Sequence, residues 1–178
     1  MSPDLTAVAR IRAAIRRIPD YPKPGVLFED ITPLLADAAL FREVIEGLAA
    51  PFRGAGVTHV VGIEARGFVL GAGVALALGC GFVPFRKAGK LPGERLREEY
   101  ELEYGRDALE AHRETWVAGS RVLVVDDVLA TGGTADAAGR LVRGLHGTLV
   151  GWSFLLEIPA LGGRARLVGA PLHVLLGG

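Results

Sequence analysis

The sequence predicts an α/β fold built on a single doubly wound, mostly parallel sheet flanked by helices. Three observations lead there. Apolar runs of strand length, such as Val122 to Val125, alternate with longer stretches whose apolar residues recur at helical spacing. Charged or glycine-bearing segments at 64–67, 86–90 and 126–134 follow the carboxyl ends of three such runs, which is where open parallel sheets bind ligands. The 178 residues, 50% hydrophobic and 22% charged, suffice for one domain with a sizeable core. No repeat, low-complexity tract or linker divides them, so one domain over 1–178 is expected.

Residues 4–17 mix apolar positions with Arg10, Arg12, Arg16 and Arg17 and read as an amphipathic helix. No apolar core follows those arginines, so the segment does not read as a secretory signal. Pro22, Pro24 and Gly25 then break the chain into an extended segment reaching about Pro33. Leu40, Phe41, Val44, Ile45 and Leu48 share one helical face. His59 to Glu64 reads as a strand, Val69 to Leu78 as a strongly apolar helix, and Gly81 to Arg86 as a second strand. After the turn signal Pro92-Gly93, Tyr100, Leu102 and Tyr104 alternate with Glu99, Glu101 and Glu103. That period of two marks a strand with one apolar and one acidic face. With Gly105 closing it, the segment over about 91–106 reads as a hairpin projecting from the sheet rim. On the residues alone it is an exposed edge strand whose glutamates keep it soluble. Arg121 to Asp126 is a third strand, Ala135 to Val142 a helix, Thr148 to Leu156 a fourth strand, and Leu172 to Leu176 a last strand near an edge.

Composition excludes several functions. Twenty Lys plus Arg balance 20 Asp plus Glu, with a pI near 6.9, so no electrostatic footprint for nucleic acid or an anionic membrane exists. No apolar run reaches the length of a bilayer span. The one cysteine, Cys80, reads as a small buried hydrophobe in a reducing, cytoplasmic setting. His59, His112, His146 and His173 lack ligand-like spacing, so no metal site made by the protein alone is expected. Ser2, Ser120 and Ser153 lie outside any nucleophile-elbow sequence, and serine hydrolysis is not supported.

The most informative stretch runs from Val122 to Thr134. Its apolar strand ends in adjacent carboxylates, Asp126 and Asp127, and then in the small-residue turn Ala130-Thr131-Gly132-Gly133-Thr134. Glycines let backbone N–H groups converge on an anion, threonine hydroxyls add donors, and the following helix N-terminus adds positive potential. Carboxylates would repel a bare phosphate but suit the hydroxyls of a sugar attached to one. The physical reading is a cradle for a ribose 5-phosphate. Neither a G-x-G-x-x-G nor a lysine after the glycines is present, so dinucleotide and triphosphate loops fit poorly.

This stretch resembles the phosphoribosyl pyrophosphate signature of type I phosphoribosyltransferases. Three further segments make the chain similar to the adenine-specific branch of that family: Asp20 to Leu35, Gly62-Ile-Glu-Ala-Arg-Gly-Phe68, and Arg86-Lys-Ala-Gly-Lys-Leu-Pro-Gly93. Together with Tyr100 to Gly105, the similarity runs in order from about residue 20 to 164. The resemblance implies a small hood at about 20–35, a flexible catalytic β-hairpin at about 91–106, and conversion of adenine and phosphoribosyl pyrophosphate to AMP and pyrophosphate. It implies Mg2+, bound mainly through phosphoribosyl pyrophosphate, and a homodimer.

Residue roles follow from the same resemblance. Glu103 and Arg66 are the expected catalytic residues. Asp126, Asp127, Ala130, Thr131, Gly132, Gly133 and Thr134 are expected to hold the ribose and 5-phosphate, and Ala65, Arg66, Gly67, Arg86, Lys87 and Lys90 the pyrophosphate. Phe28 would stack on the adenine ring, backbone groups of Leu27 and Glu29 would read its edge, and Ile158 would close the other face. Many relatives carry arginine where this chain has Glu29. Ala130 stands where enzymes for 6-oxopurines usually carry an acid, which favours adenine. The alternatives are a xanthine or orotate phosphoribosyltransferase, or a non-catalytic nucleic-acid-binding regulator of the same fold. The last lacks a basic face and spare length here.

Overall fold

The computed structural model describes residues 5–101 and 105–177. Helix α1 (Leu5–Ala14) stops short of the expected end, and Arg16–Pro19 instead forms strand β1. It pairs antiparallel with β2 (Leu27–Asp30), placing Arg16 opposite Asp30 and Arg17 opposite Glu29. Pro19 cannot extend a helix and biases Ile18 toward extended backbone, and the two cross-strand charge pairs favour the ribbon. Helical periodicity overrode both signals in the sequence. The expected extended segment likewise ends earlier, because Thr32–Ala36 forms a short helix, α2. Helix α3 (Ala38–Ala49) starts at Asp37, whose Oδ1 accepts from the N–H groups of Ala39 and Leu40 at 2.9 and 3.0 Å. A cap of that kind contributes about 1 kcal/mol.

The remaining elements are β3 (His59–Ile63), α4 (Arg66–Leu78), β4 (Gly81–Lys87), β5 (Arg95–Glu101), β6 (Arg106–His112), β7 (Arg121–Leu129), α5 (Gly133–Gly144), β8 (Thr148–Glu157) and β9 (Leu172–Val174). Seven strands form one sheet in the order β5-β6-β4-β3-β7-β8-β9. The run β4-β3-β7-β8-β9 is parallel, and β6 and β5 add antiparallel at one edge.

Strand β7 shows why the chain folds this way. Val122 and Val124 pack with α5 residues Ala138, Leu141 and Val142 on one face, while Leu123 and Val125 pack with Val44, Leu70 and Val74 of α3 and α4 on the other. All four are fully buried, so the strand reads as an unbroken apolar run, as a strand covered on both faces must. Each such side chain removed from water contributes about 1.5–3 kcal/mol before chain entropy is counted. Helices α1 to α4 thus cover one face; α5 and the β5–β6 hairpin share the other core. Among the described residues no helix is long and apolar enough to cross a membrane.

The hairpin extends further than its sequence signal. Its outgoing arm alternates as expected, with Tyr100 buried between exposed Glu99 and Glu101. Its returning arm, β6, continues to His112 and buries Ala108, Leu109, Glu110 and Ala111 in succession. Because residues of both faces are buried there, period-two alternation cannot reveal that arm.

Candidate active site

Strands β3, β4 and β7 end on one rim and deliver the three clusters expected from sequence. After β3 come Glu64 and Ala65, joined by a cis peptide, and α4 begins at Arg66. A Cβ on Gly67 would fall 2.8 Å from Asp126 Oδ1 and 2.9 Å from the Val125 carbonyl oxygen. Only glycine lets the start of α4 lie against the end of β7. Arg66 Nε then donates to Asp127 Oδ2, a carboxylate with a side chain only 7% exposed. The same guanidinium lies 5.8 Å from the centre of the Phe28 ring.

Arg66 therefore joins two expected subsites. One is a cavity of about 360 Å³ lined by Ile18, Tyr21, Phe28, Glu29, Asp30, Ile31, Thr32 and Arg66. It lies beside the β1–β2 ribbon, which Asp30 fastens by accepting from Arg16 and from the backbone and hydroxyl of Thr32. Those contacts, the Thr32 bonds foremost, draw the Asp30 carboxyl down to about 2. Phe28 and Glu29 line this cavity as expected. Leu27, 52% exposed, and Ile158, 38% exposed just beyond β8, are not among its lining residues. The Glu29 carboxylate faces Arg17 at 3.8 Å.

The other subsite is the turn from β7 into α5. Asp126, Ala130, Thr131, Gly132, Gly133 and Thr134 all line a small cavity of about 70 Å³ there. Gly132 has φ +78, and a Cβ on it would sit 2.6 Å from the Gly163 carbonyl oxygen. The turn after β8 thus packs backbone to backbone on the loop. Asp127 lies next to this cavity, its N–H donating to Asp126 Oδ1 at 2.9 Å. Burial first, then the adjacent Asp127 carboxylate, pushes the Asp126 carboxyl well above its ordinary range.

The basic cluster divides in two. Glu64 Oε2 accepts from Arg86 Nε at 3.1 Å and from the Lys87 N–H at 2.8 Å, and Oε1 accepts from Lys90 Nζ at 2.7 Å. Burial opposes its ionisation, yet the bonds from Lys90, Lys87 and Arg86 together prevail and hold this carboxyl at about 2. Lys87 Nζ instead donates to Asp107 Oδ2 at 2.8 Å and to the Tyr100 hydroxyl, both on the hairpin. Glu64 and Asp107 went unassigned in the sequence. An acid at the end of an apolar strand, two residues before Arg66, was a usable signal for Glu64; nothing local marked Asp107. Glu103, with Leu102 and Tyr104, lies outside the described residues.

Residues 33–160 match the model of the phosphoribosyl transferase domain. The chain is 59% identical over 164 residues to an adenine phosphoribosyltransferase of Myxococcus xanthus, covering 92% of this chain and 89% of that protein. This chain belongs to the adenine phosphoribosyltransferase family. The adenine phosphoribosyltransferase of Saccharomyces cerevisiae, solved with an imino-altritol bisphosphate and adenine, superposes with a TM-score of 0.92 at 42% identity, covering 97% of this chain and all of that one (100%). That of Trypanosoma brucei, solved with AMP, pyrophosphate and ribose-5-phosphate, gives 0.87 at 25% identity, covering 99% of this chain and 84% of that one. Adenine phosphoribosyltransferases thus share the open, mostly parallel sheet found here.

Proposed function

We propose that this chain transfers the phosphoribosyl group of phosphoribosyl pyrophosphate to N9 of adenine, forming AMP and releasing pyrophosphate in purine salvage. The observation that carries the reading is the position of Arg66, in contact with both Asp127 of the ribose cradle and the Phe28 ring of the hood. A base stacked on Phe28 and a ribose held by Asp126 and Asp127 would meet at that guanidinium.

Each residue then has a task. Backbone N–H groups and hydroxyls from Ala130 to Thr134 hold the 5-phosphate at the start of α5. Asp126 and Asp127 orient the ribose hydroxyls. The bond from ribose carbon one to pyrophosphate breaks with cationic character on the sugar, while negative charge grows on the leaving group. Arg66, Arg86 and Lys90, with the backbone of Ala65 and Gly67, meet that charge, and groups already in place lower the barrier without reorganising. Phe28 stacks on the purine. The ion pair of Glu29 with Arg17 leaves its backbone, and that of Leu27, to read the base edge; Ile158 closes the far side. Glu103 serves the purine as it loses its N9 proton, and the hairpin excludes water from the activated sugar.

Magnesium binds through one or two carboxylates plus substrate phosphates and keeps several waters. Asp126 and Asp127, adjacent at the cradle, fit that donor set; the ion would arrive on phosphoribosyl pyrophosphate and neutralise its charge. The working unit is a cytoplasmic homodimer acting as one catalytic domain per chain. Leu76, 84% exposed, and Val69, 45% exposed, lie one heptad apart on α4 and supply an apolar face for a second copy. The test incubates the protein with phosphoribosyl pyrophosphate, magnesium and each nucleobase in turn. AMP from adenine is expected; nucleotide from xanthine or orotate alone, or from none, would overturn the assignment.

A further inference from the structure

The turn that holds the 5-phosphate in the proposed function contains no cation. From Asp126 to Thr134 the chain offers backbone N–H groups, two threonine hydroxyls and two carboxylates, whereas a phosphate monoester carries about −1.5 to −2 charge at neutral pH. The rim cations do not fill the gap, because Arg66, Arg86, Lys87 and Lys90 each already meet an acid. A positive charge reaches the cradle from a distant part of the chain. After β8 the backbone passes through Gly163–Arg166, a single turn of 3-10 helix. Gly163 lies backbone to backbone on Ala130 and Gly132. Leu167, 6% exposed, belongs to the core shared with Ala138 and Leu141 of α5. Arg164 braces the same turn, donating from Nε to Glu157 Oε1 at 3.1 Å and from Nη2 to Oε2 at 2.6 Å. Arg166 stands between these anchors.

A Cβ on Gly133 would lie 3.7 Å from Arg166 Nη1 and 3.8 Å from Thr131 Oγ1, so the guanidinium and a cradle hydroxyl approach the same point. Gly133 lines both the small cradle cavity and a neighbouring cavity of about 210 Å³ that Arg166 also lines. With no side chain at 133, nothing on that residue screens one cavity from the other. An exposed arginine is ordinarily a solvated charge, but this one stands against the local field. The first residues of α5 present about half a positive charge from aligned peptide dipoles. Among the described residues Arg166 makes no ion pair. Of the acids lining its cavity, Asp136 is held by Arg140 and Glu99 by Arg97, which leaves Glu101. An anion in the cradle reverses the sign, and the same guanidinium is then attracted.

We propose that Arg166 supplies the positive charge of the 5-phosphate site, its guanidinium closing over Gly133 onto the bound dianion. This rests on the proposed function and adds to it a binding residue that the contiguous turn lacks. A charge-assisted bond from Arg166 favours phosphorylated ribose over the free sugar. It also offsets the repulsion that Asp126 and Asp127 exert on the phosphate, which lets those acids serve the ribose hydroxyls.

The test uses ribose 5-phosphate and magnesium pyrophosphate as independent ligands in titration calorimetry. Arg166→Gln should weaken ribose 5-phosphate about tenfold, the low end for one hydrogen bond to a charged group, and leave pyrophosphate unchanged. Arg166→Lys keeps the charge as a point and should recover most of the affinity. The affinity of wild type for ribose 5-phosphate should fall more steeply with added salt than that of Arg166→Gln, because one ion contact has been removed. Arg42→Gln deletes an equal charge from an exposed position on α3, across the sheet, and should bind both ligands as wild type does. Glu101→Gln should not weaken ribose 5-phosphate; weakening by the same factor as Arg166→Gln would give Arg166 to the hairpin and overturn the proposal. Unchanged binding in Arg166→Gln, equal weakening of both ligands, or an equal loss in Arg42→Gln would overturn it as well. A wild type that binds neither ligand would defeat the proposed function and this inference with it. A wild type that binds both, with no dependence on Arg166, would defeat the inference alone.

Discussion

Replacing Gly132 with alanine should damage the cradle more than the fold. The residue sits at φ +78, a left-handed conformation that costs a residue with a Cβ about 1–2 kcal/mol. The added methyl would also lie 2.6 Å from the Gly163 carbonyl oxygen. The turn behind cannot retreat easily, because Gly163 itself is pressed on Ala130: a Cβ there would be 2.2 Å from the Ala130 carbonyl oxygen. Strain at such sites amounts to about 1–3 kcal/mol. Adding the conformational cost gives a destabilisation of about 2–5 kcal/mol if the loop held its shape. At about 2–4 °C per kcal/mol for a chain of this size, the melting temperature should fall by roughly 4–20 °C. If the loop yields instead, its N–H groups lose their aim at the phosphate. Two misdirected charge-assisted bonds, each worth about 1.5–3 kcal/mol, weaken AMP binding by about a hundredfold or more. Differential scanning calorimetry and AMP titration measure the two routes together. A folded variant with both the melting temperature and the AMP affinity of wild type would refute the account of this glycine.

Substitutions at three other positions probe the rim, the hairpin and the face of α4. Glu64 titrates near 2 in the fold against an ordinary value of 4.5, so its contribution to stability is complete above the ordinary value and is lost as pH falls toward 2. Glu64→Gln should therefore flatten the acid limb of the stability curve across that window, and denaturation curves that stay parallel to wild type would contradict this. Glu103→Ala and Glu103→Leu should lower turnover far more than they weaken phosphoribosyl pyrophosphate binding, the pattern of a group that acts at the reacting base; near-normal turnover in both would remove Glu103 from the chemistry. Leu76→Glu, at a position 84% exposed within one chain, should leave the fold intact and shift the sedimenting species from dimer toward monomer; an unchanged dimer would remove α4 from the interface.

How much could be read beforehand depended on whether a signal was local. Strands β3, β4, β7 and β8 were legible because each is a short apolar run with charge or glycine at its end. The cradle was legible because all its residues are contiguous, from Asp126 to Thr134. Strand β1 was hidden by helical periodicity, since its partner Asp30 is fourteen residues away. Strand β6 was hidden because burial on both faces removes alternation. The division of labour between Arg86, Lys87 and Lys90 was invisible for a different reason. All three look alike in sequence, and only the fold decides that Glu64 faces two of them and Asp107 the third.

The four cations of the rim explain how a chain with no net charge can bind a polyanion. Arg66, Arg86, Lys87 and Lys90 each meet a carboxylate, namely Asp127, Glu64, Asp107 and Glu64. An unmasked cluster of this density would attract any phosphate and would repel itself. Masked, it responds to a ligand that offers the acids something in return. The ribose hydroxyls of phosphoribosyl pyrophosphate are donors that can replace Arg66 at Asp127, which frees the guanidinium for the pyrophosphate of the same molecule. Free pyrophosphate has no hydroxyls to give Asp127 and must compete with that carboxylate outright. Selectivity for the joined substrate over its leaving group would then come from exchange of partners at Asp127, and under the proposed function the acid beside the cradle would contribute to phosphate recognition.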